Sequence, residues 1–107
     1  MDPFHALAEP TRRRIVELLA QEGALSATDI HGRFDVSAPA ISQHLKVLRE
    51  AGLVSVEKRA QQRIYRVNPE AMLEVEQWAK RLREMWDRRF DALDALLKEE
   101  RAKSPKE

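Results

Sequence analysis

Residues 37–54 read SAPAISQHLKVLREAGLV, and this stretch decides the fold that we expect for the chain. Its apolar residues recur at the spacing of one helix face, at Ile41, Leu45 and Leu48. A face with this spacing is usually buried. Ser37 can cap the start of the helix, and Gly52 suits the left-handed residue that commonly ends one. We therefore predict an amphipathic helix over residues 37–51.

The opposite face of this helix carries small, polar or cationic side chains and no acid: Ala38, Pro39, Ser42, Gln43 and Lys46. The major groove of DNA admits such a helix, because small polar side chains and amides read the base edges there. An ordinary amphipathic surface helix has a similar pattern. The helix alone therefore leaves both interpretations open.

The segments on either side complete a recognisable arrangement. A short helix capped by Ser26, with Asp29 in the capping-box position, precedes the 37–51 helix by about four residues, which is helix-turn-helix spacing. After Gly52 the apolar period changes to two over residues 53–56 and 64–67, which predicts a β-hairpin. We expect the intervening segment from Glu57 to Gln62 to form a wide, mobile loop, since it lacks the Gly or Asn of a tight turn. A helix-turn-helix followed by a basic hairpin is a winged helix.

The N-terminal segment predicts two further helices. Asp2 can cap a short helix that runs through Ala8, and Pro10 suits the first turn of the next one. A core stripe is expected in the second helix at Ile15, Leu18 and Leu19. The preceding run from Arg12 to Arg14 is more typical of a solvated face than of phosphate contacts.

The C-terminal segment from Glu70 to Arg101 contains no Gly or Pro and predicts one long helix. Apolar residues recur along it: Val75, Trp78, Ala79, Leu82, Met85, Trp86, Phe90, Leu93, Leu96 and Leu97. One small domain cannot cover such a stripe, so a homodimer is the economical solution. Trp78 and Trp86 could alternatively line a ligand cavity, although simple packing is the commoner role. We expect one winged-helix domain over residues 1–101, a dimerisation helix over 70–101 and a frayed tail over 102–107.

Composition excludes several function classes. The 107 residues contain no cysteine, which rules out disulfides and thiolate metal sites. Glycine occurs only at positions 23, 32 and 52, so the sequence has no glycine-rich loop that could cradle a phosphate. It also has no other enzyme motif, and we expect no catalytic residue and no cofactor. The three histidines are far apart in sequence, so we expect no metal site. Without an 18-residue apolar run or a signal-peptide core, we expect a cytoplasmic protein with no membrane partner.

Net charge is only +1, but the cations are unevenly distributed. Lys58, Arg59, Arg63 and Arg66 lie between positions 58 and 69 with no acid among them. A local basic patch on a nearly neutral chain fits a protein that contacts phosphate with one face. The hairpin is therefore the second candidate for DNA contact.

Three blocks of sequence, at residues 7–15, 37–54 and 63–65, resemble the ArsR-type winged-helix repressors of bacteria. The resemblance covers about residues 3–100. It implies a mainly α fold with a β-hairpin wing, and a homodimer held by the first and last helices. It also implies a transcriptional repressor that binds a palindromic operator in double-stranded DNA through the 37–51 helix and the 57–63 wing.

Carried over by position, the resemblance implies specific site residues. Together with Lys46, the expected DNA contacts are Ser37, Ala38, Pro39, Ser42, Gln43, His44, Lys58, Arg59 and Arg63. The expected dimer contacts are Phe4, Leu7, Val75, Trp78, Leu82, Met85, Trp86 and Leu93. His44 is equally suited to a half-buried structural role.

The chain also departs from the family pattern. Metal-sensing members carry cysteines in the first helix of the helix-turn-helix or Asp and His ligands on the last helix. This chain has residues 27–30 as ATDI and no histidine after His44, so metal sensing is not expected. Ala60 stands in the wing where relatives often have Gly. A small-molecule inducer is compatible with the pattern but not identified by it, and the alternative function is a protein-interaction module that uses the long C-terminal helix.

Overall fold

The computed structural model describes residues 2–103. In chain order the elements are α1 (Pro3–Leu7), α2 (Pro10–Glu22), β1 (Leu25–Ser26), α3 (Ala27–His31), α4 (Ala38–Glu50), β2 (Val54–Arg59), β3 (Gln62–Val67) and α5 (Pro69–Lys103). This architecture confirms the predicted mainly α fold with a β-hairpin wing. The chain divides into two compact units, one up to Val75 and one from Glu76 onward, which are described separately.

Side-chain caps start the helices where the sequence predicts. The carboxylate of Asp2 accepts a hydrogen bond from the amide of His5 at 2.8 Å, and the hydroxyl of Ser26 accepts from the amide of Asp29 at 3.1 Å. Ser37 caps α4 in the same way through the amide of Ala40, at 3.3 Å. Each cap satisfies a backbone donor that the helix itself leaves unpaired.

The core of the first unit lies between α2, α3, α4 and the sheet. Its fully buried large side chains are Ile15, Leu19, Ile30, Ile41, Leu45, Leu48 and Leu53. The three predicted residues of α4 are therefore all buried. In α2 the predicted stripe needs one correction: Leu18 is only half-buried, and Val16 is buried instead, because the side of α2 next to Ile15 also faces the core.

A three-stranded antiparallel sheet has the order β1-β3-β2. The hairpin of β2 and β3 was predicted, but β1 was not. Leu25 pairs with Tyr65 and Ser26 with Ile64, about 40 residues further along the chain. Tyr65 is 6% exposed and belongs to the core, as expected for a residue packed under the hairpin.

The wing turn corrects the expectation of a wide loop between Glu57 and Gln62. Strand pairing continues to Arg59 opposite Gln62, so the turn contains only Ala60 and Gln61. Ala60 has a φ of 53°, in the left-handed region that two-residue hairpin turns use. An alanine therefore adopts the backbone conformation for which the sequence-based prediction required Gly or Asn.

The exit from α4 is fixed by backbone and side-chain hydrogen bonds. Gly52 has a φ of 77°, which confirms its predicted left-handed role. The side-chain amide of Asn68 donates to the carbonyl of Gly52 at 2.8 Å, and its backbone amide donates to Leu53 at the same distance. The side-chain oxygen of Asn68 also accepts from the amide of Glu70, in the first turn of α5, at 3.2 Å.

Helix α5 contains 35 residues and includes the predicted range 70–101. Ala102 and Lys103 are helical, so the expected frayed tail does not begin at 102, because no Gly or Pro ends the helix there. Residues 104–107 of that predicted tail lie outside the described residues. None of the α5 residues, all within the described range, is buried. In residues 2–103 no helix is both long and apolar enough to cross a membrane.

Candidate nucleic-acid interface

Helices α3 and α4 form a helix-turn-helix whose turn is stabilised by side chains. The Nε2 atom of His31, at the end of α3, lies 3.1 Å from the carbonyl oxygen of Val36, just before the α4 cap. Arg33, inside the turn, pairs with Glu22 of α2 at 2.8 Å. His31 therefore has a hydrogen-bonding partner inside the motif.

The exposed face of α4 carries the predicted base-reading residues. Ser37, Ala38, Pro39, Ser42, Gln43 and Lys46 are all exposed, while the opposite face is buried in the core. Glu50, in the last turn, is the only acid of α4. A slender surface free of carboxylates over three turns can approach a phosphate-lined groove closely.

His44 differs from its neighbours on α4, because it is held between α4 and α2. Its side chain is 20% exposed, and its Nδ1 atom lies 3.3 Å from Nη1 of Arg12 and 3.9 Å from Oε2 of Glu9. Arg12 also donates through Nε to the carbonyl of Ala6 at 2.7 Å. These contacts support the structural alternative for His44.

Glu9 is the cap of α2 and carries a perturbed carboxylate. Its Oε2 accepts a hydrogen bond from the backbone amide of Arg12 at 2.9 Å. This hydrogen bond is the main reason that the pKa of Glu9 lies below its usual 4.5, and the charge of His44 lowers the pKa further. The ionised form of Glu9 is thus favoured in the folded protein.

The wing separates its cations between two faces of the sheet. Lys58 pairs with Arg63 across the strands, and cross-strand partners share a face. This face also carries Val56 and Tyr65, which pack on the core. Arg59 lies on the other face, where it pairs with Glu57 at 3.6 Å.

Arg63 and the start of α4 line the same surface groove. The groove is bordered by Ala27, Thr28, His31, Ala38, Ile41, Ser42, Leu45, Arg63 and Tyr65. Two of the predicted helix contacts, Ala38 and Ser42, thus lie beside one predicted wing contact. Arg63 also lines a second depression, toward Gln61 and Gln62 at the wing tip.

Thr28 is a groove residue that sequence reasoning missed. It is exposed and borders both depressions, with its hydroxyl-bearing side chain on the same surface as Ser42 and Arg63. The Ser26 cap indicated an exposed helix start at this point. Nothing local in the sequence brings Thr28 close to Arg63, because the two residues meet only through the pairing of β1 with β3.

The predicted dimer residues fall into two groups. Phe4 is 37% exposed on α1, whereas Leu7 is half-buried and packs against the core of its own unit. Val75, in the first turns of α5, is also half-buried. The α5 residues of the second unit are about half exposed: Trp78, Leu82, Met85, Trp86 and Leu93. They form a continuous apolar surface, in which Arg89 lies among the apolar side chains. In residues 2–103 no three His, Asp or Glu side chains are grouped as a metal site would require.

Comparisons with known proteins identify relatives of both the sequence and the fold. A family profile described as a helix-turn-helix domain matches residues 7–57. The transcriptional repressor SdpR of Bacillus subtilis is 36% identical over 75 residues, which cover 70% of this chain and 82% of the repressor. The arsenical resistance operon repressor of Escherichia coli is 35% identical over 96 residues, which cover 89% of this chain and 79% of the relative.

A solved structure shows the same fold over most of the chain. The ArsR-like transcriptional regulator from Rhodococcus sp. RHA1 superposes with a TM-score of 0.74 at 31% identity, covering 87% of each chain. Winged-helix regulators are thus similar to this chain in sequence and in three dimensions.

Proposed function

Because the chain belongs to the ArsR-type winged helix-turn-helix transcriptional repressors, and is therefore a DNA-binding transcriptional regulator, we propose that it represses transcription as a homodimer bound to a palindromic operator. In this proposal α4 enters the major groove and the wing contacts the adjacent backbone. The cytoplasm, where the operator DNA is accessible, is the proposed location.

The single observation that carries the proposal is the exposed, carboxylate-free face of α4 beside Arg63. Gln43 can form a bidentate pair with adenine, and Ser42 can bond a base edge or a phosphate. Ala38 and Pro39 offer apolar contact, for instance to a thymine methyl group. Lys46, two helical turns after Pro39 on α4, supplies a cation that can contact the DNA backbone.

The groove next to α4 gives the wing a defined part in this proposal. Arg63 lies in the groove that Ser42 borders, and Lys58 is its cross-strand partner on the same face. We infer that these two cations contact phosphates next to the site that α4 reads. Thr28, on α3, also borders the groove, and its hydroxyl is a further candidate to donate a hydrogen bond to a phosphate. Arg59 is a weaker candidate, since Glu57 partly neutralises it.

The homodimer is supported by the exposed apolar surface of α5. Nine large apolar side chains of this helix are more than 45% exposed, and a continuous apolar surface of this size usually marks an interface. A twofold dimer would place two copies of α4 about one helical turn apart, roughly 34–36 Å, on the same side of the duplex.

Operator binding is tested by measuring the affinity of the purified protein for fragments from the upstream region of its own gene and for scrambled fragments of equal length. We expect a clear preference at moderate salt, with affinity falling steeply as salt rises, because each neutralised phosphate releases counterions. Equal affinity for both kinds of fragment would contradict sequence-specific repression. Dimer formation without any DNA binding would instead favour the protein-interaction alternative.

A further inference from the structure

The apolar surface of α5 follows a regular pattern in which one charged residue is embedded. Over residues 78–97 it comprises Trp78, Ala79, Leu82, Met85, Trp86, Arg89, Phe90, Leu93, Leu96 and Leu97. At 3.6 residues per turn these ten positions fall in one sector of roughly 140°. The first five positions repeat 11 residues later as the second five. We call this set the α5 stripe.

The α5 stripe is symmetric about its own midpoint, between residues 87 and 88. Reversing the order of the ten positions about that point gives the same ten positions. In an antiparallel helix pair related by a twofold axis, residues equally far on either side of the axis meet in one layer. The stripe therefore fits a second, antiparallel copy of itself over its whole length.

Arg89 lies inside the stripe and not at its edge. It shares one surface depression with Leu82, Met85 and Trp86, and another with Trp86, Phe90 and Leu93. No carboxylate within residues 2–103 forms an ion pair with it. Covering the stripe would thus bury a guanidinium group, which is unfavourable unless the covering surface supplies a partner.

We propose that α5 pairs with α5 of a second copy in an antiparallel register whose twofold axis passes between residues 87 and 88, so that each Arg89 stacks on the partner's Trp86. This inference rests on the proposed homodimer and specifies its register. The remaining layers are apolar: Leu82 meets the partner's Leu93, and Met85 meets the partner's Phe90.

The contact between Arg89 and the partner's Trp86 meets the requirement for a partner without a carboxylate. An indole face is the best aromatic surface for a guanidinium group, and the attraction grows when water is excluded. Trp86 is already supported in its own chain by Phe90, with ring centroids 6.2 Å apart at an interplanar angle of 52°. Twofold symmetry forms the contact twice, on both sides of the axis.

Other pairings of the stripe are less favourable. A parallel pair would place each Arg89 against the partner's Arg89 in an apolar layer, and like charges there are strongly repulsive. An antiparallel pair shifted by one 11-residue repeat matches only five of the ten positions. In that shifted register Arg89 meets the partner's Leu97 or Val75 and has no aromatic partner.

The register is tested by cysteine cross-linking of the full chain, which contains no native cysteine. In the proposed register Ala79 meets the partner's Leu96, so the double variant A79C/L96C should oxidise almost completely to a covalent dimer joined between these positions. The single variant A79C should stay uncross-linked, because its two copies would lie about 25 Å apart. A79C/A95C is the matched control, since residue 95 faces away from the stripe, and it should also stay uncross-linked.

The outcomes separate the register from the dimer itself. Cross-linking of A79C alone would overturn the antiparallel register, and a dimer in which A79C/L96C does not cross-link would overturn the proposed alignment; both would leave the homodimer intact. A wild-type protein that sediments as a monomer at micromolar concentration would contradict the homodimer as well. Operator affinity, measured on the same samples, reports on the DNA-binding proposal independently.

An exchange of the two central residues tests the stacking contact. W86R would place two guanidinium groups in each central layer and should raise the dimer dissociation constant about 100-fold. W86R/R89W restores one ring and one cation per layer and should recover dimerisation to within about tenfold of the wild type. Far-ultraviolet circular dichroism checks that α5 remains helical in each variant. Failure of the double variant to recover, or an unaffected W86R dimer, would contradict the contact.

Discussion

Nη1 of Arg12 lies 3.3 Å from Nδ1 of His44, so a residue in the first turn of α2 contacts the helix that carries the predicted base-reading side chains. Arg12 also donates to the carbonyl of Ala6 at 2.7 Å, which ties in α1. One guanidinium group thus connects three helices of the first unit.

Replacing Arg12 with methionine keeps an unbranched side chain about as long as the aliphatic part of arginine and removes both hydrogen bonds. We expect R12M to lower the free energy of unfolding by about 1–3 kcal/mol, because the Ala6 carbonyl loses a charged donor. Urea denaturation measures the change. R13M, at the exposed neighbouring position, is the matched control and should change stability by less than about 0.5 kcal/mol. Equal losses in the two variants would contradict the role of Arg12.

Replacing Gln43 with alanine tests base readout. Q43A should weaken operator binding by about 1–3 kcal/mol and leave binding to unrelated DNA nearly unchanged, since a bidentate base contact is lost. Fluorescence anisotropy with both kinds of DNA measures the difference. Q21A, which removes the same exposed side chain from α2, serves as the control. An unchanged operator affinity for Q43A would remove Gln43 from the recognition surface.

Comparing two wing arginines tests which face of the wing contacts DNA. R63A should weaken binding to all sequences and reduce the slope of log affinity against log salt by about 1, because one phosphate contact is lost. R59A should have a clearly smaller effect, since Arg59 lies on the other face and pairs with Glu57. A larger effect of R59A would show that the opposite face is used.

Replacing Ala60 with glycine should stabilise the protein. Alanine at a φ of 53° is strained, and glycine adopts this conformation freely, so we expect A60G to raise the free energy of unfolding by about 0.5–1 kcal/mol. The same substitution in an exposed position of α2, A20G, should lower it by about 1 kcal/mol. Opposite signs in thermal or urea unfolding are the expected result; a loss in both variants would exclude strain at the wing tip.

The Glu9 carboxylate should contribute to stability in a pH-dependent way. Its pKa is lowered in the folded protein, mainly by the backbone hydrogen bond from Arg12, so its contribution is present above pH 4.5 and disappears as the pH falls through the lowered pKa. The stability difference between the wild type and E9Q should therefore shrink as the pH is lowered from about 5.5 to about 3. Urea unfolding at several pH values measures it, and a constant difference would contradict this assignment.

Local signals were sufficient for most of the helical fold. The caps at Asp2, Ser26 and Ser37 and the stripe on α4 depend on residues within a few positions, and the structure has them as predicted. Strand β1 was missed because two residues carry no period, and their extended backbone is set by pairing with distant Tyr65.

The wing turn and the groove depend on strand pairing between residues that are not adjacent in sequence. The tight turn was missed because strand pairing up to Arg59 and Gln62 forces Ala60 into a conformation that alanine rarely adopts alone. The DNA-contact candidates on α4 were readable from its polar face, and all of them except His44 are exposed. The proximity of Thr28 and Arg63 follows from strand register, which the sequence did not specify. The division of Lys58 from Arg59 follows from the extension of β2 to Arg59, where the sequence predicted a loop.

The side chain of Asn68 makes hydrogen bonds to two separate segments of the chain. Its NH2 group donates to the carbonyl of Gly52, just beyond α4, and its oxygen accepts from the backbone amide of Glu70, at the start of α5. The same side chain thus bonds to the segment that follows α4 and to the first turn of α5. A tilt of the first turn of α5 would therefore have to shift or break the Asn68 hydrogen bond at Gly52, two residues beyond the end of α4.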